Sequence, residues 1–277
     1  MILRTAQSED VAAMLGWAAS EGWNPGLEDA EAFARADADG FFVAEKKGGL
    51  AAAISVVNHS PDFAFLGLYI CRPKYRGRGI GLKLWSYALD HAGDRTVGLD
   101  GVAEQQANYA KSGFVKTGET IRFEGPVPDL AVEGLRLLGP REAANLGQLD
   151  LLANGFLRPR FLSSWLVNTE TRCTVVLDGA EGPVGFATAR LCQEGCKVGP
   201  LIAPTTEAAL ALMSAATRAL GQSRAILDVP GAQGGFCNTL VSLGWQTTFE
   251  TARMYRGTPP QPAQPESLFG VATLELG

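Results

Sequence analysis

"PKYRGRGIGLKLW" (Pro73–Trp85) follows the strand-like run "FAFLGLYIC" (Phe63–Cys71) and leads into an apolar helical pattern. Glycines 77, 79 and 81 alternate with Arg76, Arg78 and Ile80, and Lys83 follows two residues after Gly81. A strand, a glycine loop and a helix make an anion site by construction. The first-turn amides of a helix have no internal partners, and the macrodipole adds partial positive charge there. Glycines permit positive φ and let the backbone approach an anion closely. The chain as a whole is acidic, with a formal net charge of −5. That balance excludes general binding to nucleic acid, which needs a basic surface. The loop is therefore a local basic island suited to a small anion.

Two common phosphate loops fail to match. A dinucleotide fingerprint needs G-x-G-x-x-G early in a βαβ unit with an acidic residue about twenty positions on. Here the order is G-x-G-x-G, behind strands that read as antiparallel. A P-loop ends in G-K-[ST], and Lys83 is followed by leucine.

The 277 residues are long for one domain and comfortable for two of about 130. With 46% hydrophobic and 19% charged residues, a buried core is expected. The longest apolar runs are strand-length, far short of a membrane span. "MILRTAQSED" has no secretory-signal pattern, and five cysteines (71, 173, 192, 196, 237) suggest no disulfide framework. Cys192 and Cys196 are spaced C-x-x-x-C without a second pair or a nearby histidine, so they read as incidental thiols rather than a zinc site. A cytoplasmic protein with no membrane or nucleic-acid partner is expected, with a homodimer left open.

The chain repeats itself. Leu3 ("LRTAQSEDVAAML") aligns with Leu135 ("LRLLGPREAANLG"), Phe41 with Cys173 and Gly67 with Gly199, each at an offset of 132. Gly113 aligns with Gly244 at 131. Two copies of one fold follow, 1–126 and 134–277, with the boundary in "EGPVPDLAVEG" (124–134). In the first copy Ser8 caps a helix whose Val11, Met14, Leu15 and Ala18 share a face. A short helix (27–38) comes next, then strands over 41–45, 51–58 and 63–71, with "KKGG" as a hairpin turn. After the loop come a helix from 79 to 91, the strand "TVGLD", the short helix "EQQANYAKSG" and a last strand over 114–123. The tail holds a proline-rich linker (258–266) and "LFGVATLEL", read as a final strand returning to a sheet.

"RGRGIG" resembles the acetyl-coenzyme A loop of the GNAT superfamily of N-acetyltransferases, R/Q-x-x-G-x-G/A, with Arg76, Gly79 and Gly81 at its fixed positions. "QANYAKSGF" (Gln106–Phe114) resembles that family's later segment, a helix carrying a tyrosine ahead of a Gly-Phe pair. "EGWNPG" (21–26) and "LDGVAEQQANYAKSGF" (99–114) are similar to a tandem, two-domain bacterial branch, the YitH-type proteins. The resemblance covers Ile2–Phe123 and implies an α/β (α+β) fold of two GNAT-like domains, each a mixed, mostly antiparallel sheet flanked by helices. It also implies acetyl-CoA as co-substrate, without a metal, and direct transfer to a primary amine, either a small molecule or a lysine. Binding acetyl-CoA without turnover, as a sensor, is the alternative.

Under that resemblance the coenzyme contacts are Ile70, Cys71, Arg76, Gly77, Arg78, Gly79, Ile80, Gly81 and Asn108. An amide from Ile70 or Cys71 would hydrogen-bond the thioester oxygen. Tyr109 is expected to protonate the departing thiolate, since a phenol near pKa ~10 suits a thiol near ~8.5. Without the resemblance, Tyr109 reads as a core aromatic. The base is open between Glu21 and Asp100. Trp23, Asn24 and Tyr69 are expected at the acceptor, with Arg158, Arg160 and Phe161 as further contributors and His59 as an outside candidate. Where the first copy has "CRPKYRGRGIG" the second reads "IAPTTEAALAL", without glycines or arginines, so the second copy is expected to be degenerate.

Overall fold

The computed structural model describes residues 1–130 and 132–277. Its first half runs β1 (Ile2–Thr5), α1 (Ser8–Ser20), α2 (Asp29–Ala36), β2 (Phe41–Lys46), β3 (Gly49–Asn58), β4 (Phe63–Cys71), α3 (Ile80–Leu89), β5 (Thr96–Gly101), α4 (Gln106–Lys111) and β6 (Val115–Pro126). The second half repeats this order with β7 (Leu135–Leu137), α5 (Gly147–Asn154), α6 (Pro159–Trp165), β8 (Arg172–Gly179), β9 (Gly182–Leu191) and β10 (Cys196–Ile202). It continues with α7 (Thr206–Ala219), β11 (Arg224–Pro230), α8 (Gly234–Ser242) and β12 (Gln246–Arg256), and the tail adds β13 (Leu268–Gly270). Of the expected boundary segment, Ala131 lies outside the described residues.

All the strands join one mixed sheet, in the order β1-β2-β3-β4-β5-β12-β6-β11-β10-β9-β8-β7, with β13 beside β10. Among the described residues, only the β4·β5 and β10·β11 pairs are parallel. Read from either end the order is the same, half for half, with one exchange. The last strand of the first half, β6, pairs with β11 of the second, and β12 pairs with β5 of the first. The exchanged strands pair with each other at the centre. A buried fork of charge crosses each exchanged pair: Arg253 donates to Asp100 at 3.0 and 2.7 Å, and Arg122 donates to Asp228 at 2.7 and 2.8 Å. These residues are directly opposite in register, Arg253 to Asp100 and Arg122 to Asp228. A slip by one residue would turn each carboxylate away from its guanidinium, so the two forks favour this register.

Alternation along β2 sends Phe41 to one face of the sheet and Phe42 to the other. On the Phe42 side α3 covers the first half, and Ile80, Leu84, Trp85, Ala88 and Leu89 are its buried stripe. α7 covers the second half in the same way. On the Phe41 side α1 and α2 meet α6 in a core that spans both halves. The face foreseen for α1 is the buried one: Val11, Met14, Leu15 and Ala18.

Two local expectations are corrected, and two strands were not foreseen. Gln7, rather than Ser8, is the N-cap of α1, and the Asp10 carboxylate accepts the Gln7 N–H at 2.8 Å. β1 and β7 had no sequence counterpart, because short edge strands that stay largely half-exposed carry no alternation to read. Of "LFGVATLEL" only Leu268–Gly270 is a strand, while Val271–Thr273 and Glu275–Gly277 are irregular and buried.

Candidate active site

The glycine loop forms the open cradle its spacing implies. Gly77 (φ 72°) and Gly79 (φ 69°) are left-handed, and Gly79 is the N-cap of α3. Lys83 N–H, donating to Gly79 O at 3.2 Å, is the first helical hydrogen bond. Among the described residues, none of the N–H groups of residues 77–82 donates to a carbonyl or side chain. Six successive free donors at a helix N-terminus fit the pyrophosphate of a coenzyme. Arg76 takes another part. Its Nε donates to Cys71 O at 2.8 Å and its fork pairs with Glu21, so it ties the loop to the end of β4 and to the C-cap of α1. Arg78 and Lys83 are the exposed cations at the rim.

β4 and β5 pair only as far as Leu66↔Leu99 and then part, at a bulge where Leu68 has φ 48°. Arg72 N–H donates to Ala51 O at 3.0 Å on the β3 side. Strand alternation therefore turns the Cys71 and Tyr69 amides to the open side and Ile70 toward β3. Of the two amides foreseen for a thioester oxygen, Cys71 is the one aimed at the gap.

That gap opens into a cavity of about 1010 Å³. Tyr69, Ile70, Cys71, Arg76, Gly77, Gly79, Ile80, Gly81, Asp100 and Tyr109 line it, together with Glu21, Trp23 and Asn24. Arg78 and Asn108 do not. Asn108 is exposed and donates to Oε1 of Gln105, itself a lining residue, at 3.0 Å. Tyr109 is 8% exposed, and its ring stacks on Trp85 at 5.3 Å. Burial raises its phenol well above the ordinary range, with Tyr69 adding to the effect. Burial likewise raises Tyr69, whose hydroxyl lies against Gly81. The Cys71 thiol is also pushed up by burial, away from a nucleophilic thiolate.

Neither foreseen base is free. Glu21 is held by Arg76, and both Asp100 oxygens are held by Arg253, with Thr120 adding a hydrogen bond at 3.2 Å. Asn24 spends its amide on the backbone of Glu194, donating to its O at 2.7 Å and accepting from its N–H at 3.2 Å. The Trp23 carbonyl accepts Lys197 Nζ at 2.7 Å. His59, Arg158, Arg160 and Phe161 are outside the cavity lining; Arg158 is buried on Asp150 at 2.8 and 2.7 Å, and Phe161 is core.

The opposite wall comes from residues that sequence reasoning passed over. Arg122 and Glu124 of β6, Phe249 and Thr251 of β12, Glu194, and Leu274 and Glu275 of the tail all line the cavity. Nothing local marks them; strand exchange and the path of the tail bring them in. In the second half α7 begins at Thr206, with Thr205 Oγ1 accepting the Ala208 N–H at 3.2 Å in place of a glycine cradle. β13 pairs with β10 and packs against β11 where those two strands part. Among the described residues no helix is long and apolar enough to cross a membrane, and the five cysteines are free.

Comparison with known proteins matches residues 8–114 to the acetyltransferase (GNAT) family and residues 146–270 to an acetyltransferase (GNAT) domain. The holothin acyltransferase of Pseudoalteromonas sp. (strain SANK 73390) is 33% identical over 264 residues, covering 94% of this chain and 89% of the relative. A protein from Pyrococcus horikoshii assigned as an acetyltransferase superposes with a TM-score of 0.82 at 20% identity, over 100% of this chain and 95% of its own. A tandem GNAT protein of the clavulanic acid pathway gives 0.62 at 14% identity, over 94% and 99%. At these identities the two structures speak for the fold alone.

Proposed function

The chain belongs to the GNAT family of acetyltransferases, with two such domains in tandem, and on that premise we propose that it moves an acetyl group from acetyl-CoA directly to a primary amine, of a small molecule or of a lysine. The observation that carries this reading is the row of free N–H groups at 77–82, opening beside the parted ends of β4 and β5. The row receives the pyrophosphate, with Arg78 and Lys83 at its rim. The Cys71 amide donates to the thioester oxygen as negative charge develops there. The amine nitrogen bonds to the carbonyl carbon, the C–S bond breaks, and Tyr109 gives its proton to the sulfur. A phenol kept neutral by burial is in the right state to do so. Among the described residues the second half lacks such a row of donors, and its own tail fills the corresponding gap.

Isothermal titration of acetyl-CoA against the wild type and a Gly79→Glu/Gly81→Glu variant tests the reading. One site per chain, lost in the variant, is the expected result. Two sites would overturn the silent second half, and no binding would overturn the assignment of the donor.

A further inference from the structure

The tail brings one carboxylate into the cavity. Glu275 is 7% exposed, lines the cavity beside Leu274, and has no ion pair or side-chain hydrogen bond among the described residues. Its oxygens are not sealed from solvent. Three cations lie within its electrostatic reach: Arg122 on β6, Arg190 on β9 and Lys197 on β10. None of them hydrogen-bonds the Glu275 carboxylate. Arg122 forks onto Asp228, Arg190 holds Asp29 at 3.2 Å and Ala272 O at 3.2 Å, and Lys197 donates to Trp23 O. On the β5 side, Asp100 is closed by Arg253. The carboxylate therefore has counter-charge nearby but no hydrogen-bond donor of its own, and an ammonium group entering the cavity would supply one.

The segment holding Glu275 is pinned on both sides. Thr273 Oγ1 accepts the N–H of Glu275 at 2.8 Å and of Leu276 at 3.1 Å. His59 Nε2 bonds Leu276 O at 2.7 Å. At Gly67, where β4 leaves β5, an added Cβ would lie 2.1 Å from Glu275 O, so the tail sits directly on the parting strands. The backbone carrying Glu275 is thus held against the middle of β4, on the wall of the cavity into which the strand's free amides open.

We propose that Glu275 receives the ammonium group of the acceptor and takes its proton, which makes the acceptor a primary alkylamine that is cationic in water; this rests on the acyl-transfer reading above. One of the three ammonium protons passes to the Glu275 carboxylate. The freed nitrogen bonds to the thioester carbon, and the C–S electron pair leaves with sulfur, which takes the Tyr109 proton. The phenolate recovers a proton from the former amine nitrogen, the amide keeps the last one, and Glu275 gives its own to water as product departs. The neutral amide no longer complements the carboxylate, which favours release.

The test compares phenethylamine, cationic at pH 7, with p-toluidine, neutral there, on the wild type and Glu275→Gln. Loss of kcat/KM for phenethylamine on the order of 100-fold at pH 7 is expected, easing as pH rises, with less than about tenfold loss for p-toluidine. Acetyl-CoA titration should be unchanged. An equal loss for both amines, or phenethylamine rates within about threefold of wild type, would overturn the role of Glu275 while leaving acyl transfer intact. Failure of the wild type to acetylate either amine with acetyl-CoA bound would overturn the transfer reading, and this role with it. If Glu275→Gln does not fold, the wild type carries the test. Phenethylamine should then bind the coenzyme A complex at least about tenfold tighter than neutral 2-phenylethanol, and equal affinity would overturn the inference.

Discussion

Tyr109 lies flat on Trp85 with its hydroxyl free of any hydrogen bond among the described residues, while its ring fills space beside Gly101. Removing the oxygen alone should therefore leave packing intact. In Tyr109→Phe we expect turnover to fall on the order of 100-fold or more, with acetyl-CoA affinity and thermal stability close to wild type. Steady-state kinetics beside a coenzyme titration checks this, and an unchanged kcat would remove Tyr109 as the acid. Some residues were legible because a local pattern constrains them: the alternating glycines 77, 79 and 81, and the tyrosine one helical turn ahead of a Gly-Phe pair. Glu275 was not, since a glutamate between two leucines looks the same whether it faces solvent or a cavity.

At the scale of elements, the loop works only while β4 and α3 keep their spacing. Gly81 sits where an added Cβ would come within 2.5 Å of the Tyr69 hydroxyl, and the next ring carbon is 3.3 Å away. Gly81→Ala should push Tyr69 or the first turn of α3 aside and weaken acetyl-CoA binding about tenfold, roughly 1.4 kcal/mol. Adding Tyr69→Phe removes the obstructing oxygen and should restore most of the affinity, a coupling that a double-mutant cycle by titration measures directly. Independent, additive losses would show that Tyr69 is not the obstacle. Helices α1 and α3 were readable because one face of each meets a core and the 3.6-residue period records it. The edge strands β1 and β7 were not, being short and half wet.

Across the whole molecule, the tail stitches the two halves together, and His59 is one of its stitches. The neutral ring donates Nε2–H to Leu276 O, a carbonyl that can only accept. Burial, reinforced by Arg158, pushes its pKa down to about 3 from an ordinary 6.5. As pH falls below 6.5 the unfolded chain binds a proton that the folded ring refuses. Stability is thus fully present above 6.5 and is lost toward pH 3, at up to about 1.4 kcal/mol per unit. Denaturant unfolding between pH 6.5 and 5 should show this slope in the wild type, and His59→Gln, which has no proton to gain, should flatten it. The same slope in both proteins would place the titration elsewhere.

The sequence by itself determined that the chain is a repeat, that each copy has a GNAT-like order of helices and strands, and that only the first copy carries the glycine- and arginine-rich loop. Each of these is written in local periodicity, glycine spacing or a constant offset, which depend on neighbours along the chain. Only the tertiary structure decided that β6 and β12 trade places, that Asp100 and Asp228 lock the exchange, and that the tail plugs the second gap and carries Glu275 to the first. An apolar strand buries its faces equally well in either half of a continuous sheet. The partner is chosen by long-range register, buried charge pairs and the path of the tail, none of which leaves a period in the sequence.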